Sequence, residues 1–353
     1  SELCYDGNRF FIYDKKHGLF SNHIYTMYED SKGILWFGTW RNGIVKYDGN
    51  VFTNYSTRQG LPNNLVLALC EDAKGHLWVA TYGGGAARFD GSSFTVYSQQ
   101  QGLADNRVVA LLQDTKGNMW LGTDGGGVSR YDGDKFVTYT QKNGLAGNRV
   151  WSVFEDSHGA FWFGTWGDGM TCLAGKSFTT YTTDHGLTNN VVRTFYEDDN
   201  QHLWIGTYGG GLSEFKFPVQ GKYTQARYRN ITPKEGLSSD RILSFMEDRA
   251  GKYWIGTDGG GVNRFDASSF VRYTETVGLS DHRVWTTLED NAGRLWFATD
   301  KGLSLYDGEN FKIYTTQTGL VHNRVWSVIQ DRQGSFWAGT SGGVSKITFR
   351  QGK

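Results

Sequence analysis

Acid, base and metal chemistry would fall first to carboxylates and histidines. The carboxylates often come as adjacent pairs, among them Glu29-Asp30, Glu155-Asp156 and Glu289-Asp290. Two positioned carboxyls can act as general acid and base. Here, however, the pair returns at the same place in a repeated unit, and neighbouring strand residues point to opposite faces. The two carboxylates therefore diverge, and turn chemistry is the better reading: an Asp that bonds the backbone ahead of it, then a Gly at positive φ. The 8 histidines show no metal-ligand spacing. Gly83-Gly84-Gly85, Gly125-Gly126-Gly127, Gly209-Gly210-Gly211 and Gly259-Gly260-Gly261 precede strands, so they read as hairpin turns and not as phosphate cradles. No catalytic residue, metal ligand or cofactor is assigned.

Other polar and aromatic residues vary from unit to unit. One set follows a recurring Trp-x-Gly-Thr stretch: Trp40, Tyr82, Asp124, Trp166, Tyr208, Asp258, Asp300 and Ser341. A second set opens the preceding strand: His23, Leu65, Arg107, Arg149, Val191, Arg241, Arg283 and Arg324. Two residues further on stand Tyr25, Leu67, Val109, Trp151, Arg193, Leu243, Trp285 and Trp326. Trp and Tyr offer flat apolar faces for sugar rings or aromatic ligands, and Arg and Asp supply forked donors and acceptors. The ligand-binding candidates are the aromatic, Asp and Arg members of these sets, with Trp151, Trp285 and Trp326 from the third. The structural alternative has Arg and Asp bridging neighbouring units while the aromatics fill the mouth of the ring that the units form. The first set runs Trp-Tyr-Asp twice, then Asp-Ser, which points to duplication of a three-unit block.

The elements that must position these residues are set by a repeat. Leu35-Trp36-Phe37-Gly38-Thr39 returns as Leu77-Trp78-Val79-Ala80-Thr81, and its Trp again at Trp120, Trp162, Trp204, Trp254, Trp296 and Trp337. The spacing is 42 residues except for one of 50 and one of 41. A period of about 40–45 residues with one Trp per unit predicts a β-propeller. Within a unit, Arg149–Phe154, Phe161–Thr165 and Met170–Leu173 alternate as strands joined by short turns, with an outer strand like Phe136–Thr140. No stretch has helical periodicity. The N-terminal Phe10 and Tyr13 match an outer strand, and the C-terminal Val344-Ser345-Lys346 matches the strand before it. The N-terminal strand should therefore complete the last blade and close the ring, removing free sheet edges. The expected fold is an all-β, eight-bladed propeller with four antiparallel strands per blade, in one domain over 1–353; seven blades and a piece outside the ring is the alternative. The variable sets would then share one face near the axis. One unit carries eight extra residues, an insertion near 216–226 that reads as a tolerated surface hairpin, and Gln201 replaces its turn Gly.

The composition narrows the function classes. Lys+Arg and Asp+Glu both number 36, which gives no electrostatic case for nucleic acid or an anionic membrane as partner. The 48 Gly against 3 Pro imply repeated tight β-turns. Cys4, Cys70 and Cys172 lack CxxC spacing and read as isolated thiols. No apolar run approaches a membrane span and no signal peptide is seen, so no membrane insertion of this segment is expected.

The stretch Asn148-Arg-Val-Trp-Ser-Val-Phe-Glu-Asp-Ser-His-Gly-Ala-Phe-Trp-Phe-Gly-Thr resembles the two-component regulator propeller repeat, N-x-V-x-x-hydrophobic-x-E-D-x-x-G-x-L-W-x-G-T. The pattern also starts at Asn22, Asn64, Asn106, Asn190, Asp240, His282 and Asn323, so it covers nearly the whole chain. The resemblance implies a bacterial, periplasmic or extracellular sensor region of a hybrid two-component receptor, a type often linked to polysaccharide use. Such sensors typically look seven-bladed and paired, whereas this chain shows eight units and no kinase or receiver. The Asp-x-x-Gly-x-x-Trp core is also similar to the Asp box of sialidases, itself a structural turn. The leading expectation is a non-catalytic binding or sensor module for a small polar ligand, such as a glycan fragment, or for a protein partner. The alternatives are a propeller-type lyase or glycan-active enzyme, and a recently amplified scaffold without a ligand.

Overall fold

The computed structural model describes residues 2–217, 223–266 and 269–349. The chain is an eight-bladed β-propeller built from eight antiparallel sheets. Seven sheets hold four strands in chain order, as in Val150–Glu155, Phe161–Thr165, Met170–Ala174 and Ser177–Tyr181. The backbone divides into two compact units, residues 1–69 with 246–353 and residues 70–245.

Both chain ends lie in the first unit and meet there. Asn8–Tyr13 pairs antiparallel with Val344–Thr348, Phe10 opposite Ile347, as the complementary ends predicted. This sheet has a fifth strand that was not expected, Glu2–Tyr5. Its tight turn explains it: Asp6 and Gly7 both have positive φ, 49° and 76°, the combination a two-residue hairpin turn requires.

The repeated Trp is the wedge of each blade. All eight are at most 2 % exposed, and several pack on the next blade: Trp337 on Phe37, Trp120 on Phe161, and Trp296 on Phe336. The Gly of the Trp-x-Gly-Thr strand has a steric reason. A Cβ on Gly164 would stand 2.7 Å from Val192 Cγ1 and 3.1 Å from Phe195 Cε2 on the next blade.

Each Glu-Asp pair divides its work, with the carboxylates diverging as expected. Asp156 Oδ1 accepts from the backbone N–H of His158 and of Ala160. Glu197, from the following pair, reaches back to Ser157 N at 2.6 Å and Ser157 Oγ at 2.8 Å. The loops ahead of the inner strands contain single 3-10 turns, such as Gln141–Asn143. Three residues are too few to show periodicity; their signature is a capping box, Thr140 with Asn143, closed by Gly144 at φ 114°.

In the insertion, residues 218–222 lie outside the described residues. Beyond them, Tyr223 does not stay at the surface. It is 6 % exposed, packs edge-on against Trp162, and donates from its hydroxyl to Asp156 Oδ2 at 2.8 Å. The insertion thus docks on the preceding blade. Gln201 occupies its turn at φ 62°.

Candidate functional site

The three variable sets are brought together by one local device. The inner strand does not pair evenly with its neighbour: its register shifts between Ile24 and Thr26, Val150 and Ser152, Val284 and Thr286, and Val325 and Ser327. The bulged residues are Tyr25, Trp151, Trp285 and Trp326. A β-bulge re-aims the side chain it leaves unpaired, and here it turns the third set towards the first two. Backbone bonds add the rest. Trp166 N donates to Arg149 O at 2.9 Å, and Trp166 also bridges to Val191 of the next blade. Tyr82, Asp124, Tyr208 and Asp258 likewise bridge to the second-set residue of the next blade.

In the unit of residues 70–245 the site is a bonded cluster and an aromatic row. Asp124, 4 % exposed, accepts from Arg149 Nε at 2.8 Å, Tyr82 Oη at 2.7 Å and Trp151 Nε1 at 3.1 Å. Burial opposes its charge, but the bonds from Arg149, Tyr82 and Trp151 outweigh it and hold the carboxyl below its ordinary range. The bond to Asp124, with burial, pushes the Tyr82 hydroxyl up. Arg107 forms a two-pronged pair with Asp105 of its own loop. Beside this cluster, Trp151 and Trp166 have ring centres 5.0 Å apart, Trp166 stacks on Tyr208 at 6.0 Å, and Arg241 lies 5.5 Å over Tyr208.

In the other unit the Arg–Asp pairing repeats. Arg283 donates to Asp258 and, at 3.3 Å, to Asp300, which also takes Arg324 Nε at 3.2 Å and Trp285 Nε1 at 2.8 Å. The charged members of the predicted site are thus largely spent on one another. Its aromatic members are joined by Tyr25, which was not among the candidates, into a continuous run: Trp285 to Trp326 at 4.8 Å, Trp326 to Tyr25 at 6.3 Å, and Tyr25 to Trp40 at 5.5 Å. Trp326 Nε1 donates to Ser341 Oγ at 2.9 Å, so both inner indoles have their orientation fixed by their own N–H. Together with Lys15, Ser21, Asn22, His23, Arg41 and Asn42 they line a cavity of about 820 Å³. Trp40 at its edge is 42 % exposed.

Lys15, Ser21, Asn22, Ile24, Arg41 and Asn42 are the lining residues that the sequence reading did not single out. A signal was available. Arg41-Asn42 stands where the other units carry Gly83-Gly84, Gly125-Gly126 or Gly209-Gly210.

One side-chain group elsewhere has ligand-like geometry. The donor atoms of Asp198, His202 and Glu214 lie within 4.8 Å of one another. Glu214 is already bridged by Lys216 and Arg229, each at 3.0 Å. His76, Asn118 and Arg294 bond their turn Asp from the same place that His202 holds. His202 is therefore one more turn donor, and two cations beside Glu214 oppose a third. The three cysteines are free. Among the described residues no helix is long and apolar enough to cross a membrane.

Known structures share the fold. The extracellular domain of a hybrid two component system from B. thetaiotaomicron is 23% identical with a TM-score of 0.62, over 92% of this chain and 51% of that one. A second such domain from the same organism is 18% identical with a TM-score of 0.59, over 98% and 55%. A streptogramin B lyase is 15% identical with a TM-score of 0.56, over 96% and 97%. At these identities the likeness shows the fold alone, and this chain spans about half the length of the two sensor domains. No curated protein sequence matches it. Eight segments, 18–41, 60–83, 102–125, 144–167, 186–209, 236–259, 278–301 and 319–342, match one repeat family, and on that match the chain belongs to the two component regulator propeller family.

Proposed function

We propose that this chain is a non-catalytic sensing or interaction module, and that it takes a small polar ligand with a flat apolar face, such as a glycan fragment, at the aromatic cavity of residues 1–69 with 246–353. The observation that carries the reading is the pinning of Trp285 and Trp326 by Asp300 and Ser341 beside a cavity of about 820 Å³. A volume of roughly 300–1,000 Å³ suits a small-molecule site, and indoles ordered before binding lose little entropy on contact. Family membership supports the sensing role, and likeness to extracellular domains supports a periplasmic or extracellular setting. The reading of 1–353 as a single domain belongs to the same proposal.

The test is a glycan array read with the purified chain, followed by titration of each retained glycan against tryptophan fluorescence. Trp40→Ala should abolish binding and leave the melting temperature nearly unchanged. An array with no retained glycan, or a Trp40→Ala variant that binds normally, would reject the site.

A further inference from the structure

Resting on that reading, the charge around the cavity narrows the ligand further. The loop ahead of an inner strand and the turn after the Trp-x-Gly-Thr strand place three positions together, and two blades show what those positions do. In the seventh blade they are Glu275, Asp281 and Lys301. Lys301 Nζ is bound by Glu275 Oε1 at 2.8 Å and by Asp281 Oδ2 at 2.9 Å, so the cation is fully matched. Lys301 helps to hold Asp281 below its ordinary range against the effect of burial.

In the first blade the same three positions are Lys15, Ser21 and Arg41. Both carboxylates are gone, and one has become a second cation. All three residues line the aromatic cavity. Among the described residues no carboxylate pairs with Lys15 or Arg41, and no Asp or Glu lines the cavity. The Arg41 place is a Gly in most sibling turns, so the side chain is not there to build the turn. Ser21 Oγ accepts from His23 N, which leaves its own O–H free to donate. Two cations and a hydroxyl line this cavity without a counter-charge, together with Trp40, Tyr25 and Trp326.

We infer that Lys15, Ser21 and Arg41 form an oxyanion subsite, and that the ligand of the aromatic cavity is an acidic oligosaccharide whose carboxylate or sulfate takes the place of the missing Glu and Asp. Like charges held together repel, and an anion between them relieves this. Arg gives a forked pair of donors and Lys a point charge, while the aromatic wall takes the apolar face of the sugar. The cations of the other variable positions are unsuited to this role, since Arg149, Arg283 and Arg324 are held by Asp124, Asp258 and Asp300.

The experiment uses the full chain and an array holding neutral glycans, uronate glycans, their methyl-esterified forms, sulfated glycans and an acidic hexapeptide. The subsite predicts retention of uronate or sulfated glycans over neutral and esterified ones, with affinity falling as salt rises; which of the two is retained identifies the source of the anion. A second arm transplants the seventh-blade residues as Lys15→Glu, Ser21→Asp and Arg41→Lys, which rebuilds the internal Lys–carboxylate bridge and changes the formal charge of the three positions from +2 to −1. Acidic glycans should then bind roughly tenfold to a hundredfold more weakly, with an unchanged melting temperature. Retention of neutral glycans that the triple variant binds equally well overturns the acidic subsite while the sensing module stands. Preference for the hexapeptide overturns the saccharide assignment. Retention of nothing overturns the proposed function and the subsite with it.

Discussion

Trp162 donates from Nε1 to Asp156 Oδ2 at 2.9 Å, six residues apart in sequence and across one hairpin. The same bond recurs in every blade, from Trp36 to Asp30 through Trp337 to Asp331. One carboxylate thus closes the turn with Oδ1 and orients the blade wedge with Oδ2. In the Asp156 copy, Tyr223 adds a second donor to Oδ2. Asp156→Ala would leave buried indole and phenol donors without a partner, at about 1–3 kcal/mol each. We expect Asp156→Ala to cost more in urea unfolding than Asp331→Ala, whose Oδ2 accepts from the wedge Trp337 without such a tyrosine. Equal losses would show that the Tyr223 bond contributes nothing.

Wedge and rim tryptophans should separate cleanly. Trp162→Ala removes a fully buried ring and should lower stability by about 3–5 kcal/mol. Trp40→Ala removes an exposed one and should stay within about 0.5 kcal/mol. Thermal unfolding of the two variants checks this, and a large loss from Trp40→Ala would reassign it to the core.

The glycine of the Trp-x-Gly-Thr strand should resist enlargement where the next blade is close. Gly164→Ala meets Val192 and Phe195 and should cost about 1–3 kcal/mol. Ala80 and Ala298 already fill the same place in other blades, fully buried, so the limit is local spacing. A neutral Gly164→Ala in denaturant unfolding would contradict the clash.

Asp124 should make stability depend on pH. Its folded pKa lies below the ordinary 3.8, so its contribution is complete above that value and is lost as pH falls through the lower folded value. Between about pH 5 and pH 2, unfolding free energy should fall more steeply in the wild type than in Asp124→Asn. Parallel curves from denaturant titrations at each pH would remove Asp124 from the linkage.

The single-domain proposal predicts one cooperative unfolding transition. Calorimetry should give equal calorimetric and van't Hoff enthalpies, and limited proteolysis should not release residues 70–245 as a stable fragment. Two resolved transitions would make the two compact units separate domains.

Much of the fold was written in local patterns. Alternation over four to six residues, Asp and Gly at turns, and a Trp every 42 residues are enough to fix strands, hairpins and blade count, because each is a property of neighbours in the chain. The complementary ends, Phe10 and Val344 among them, likewise announced the last sheet. The site was legible only as a list of variable positions. The β-bulge that turns Trp151 and Trp285 outward depends on how two strands pair, and an alternating pattern does not reveal it. Whether an arginine is free or spent was also hidden: Arg149 meets an Asp 25 residues before it, while among the described residues Lys15 and Arg41 meet no carboxylate at the cavity. Charge matching is a matter of distance in space, and only the tertiary structure sets those distances.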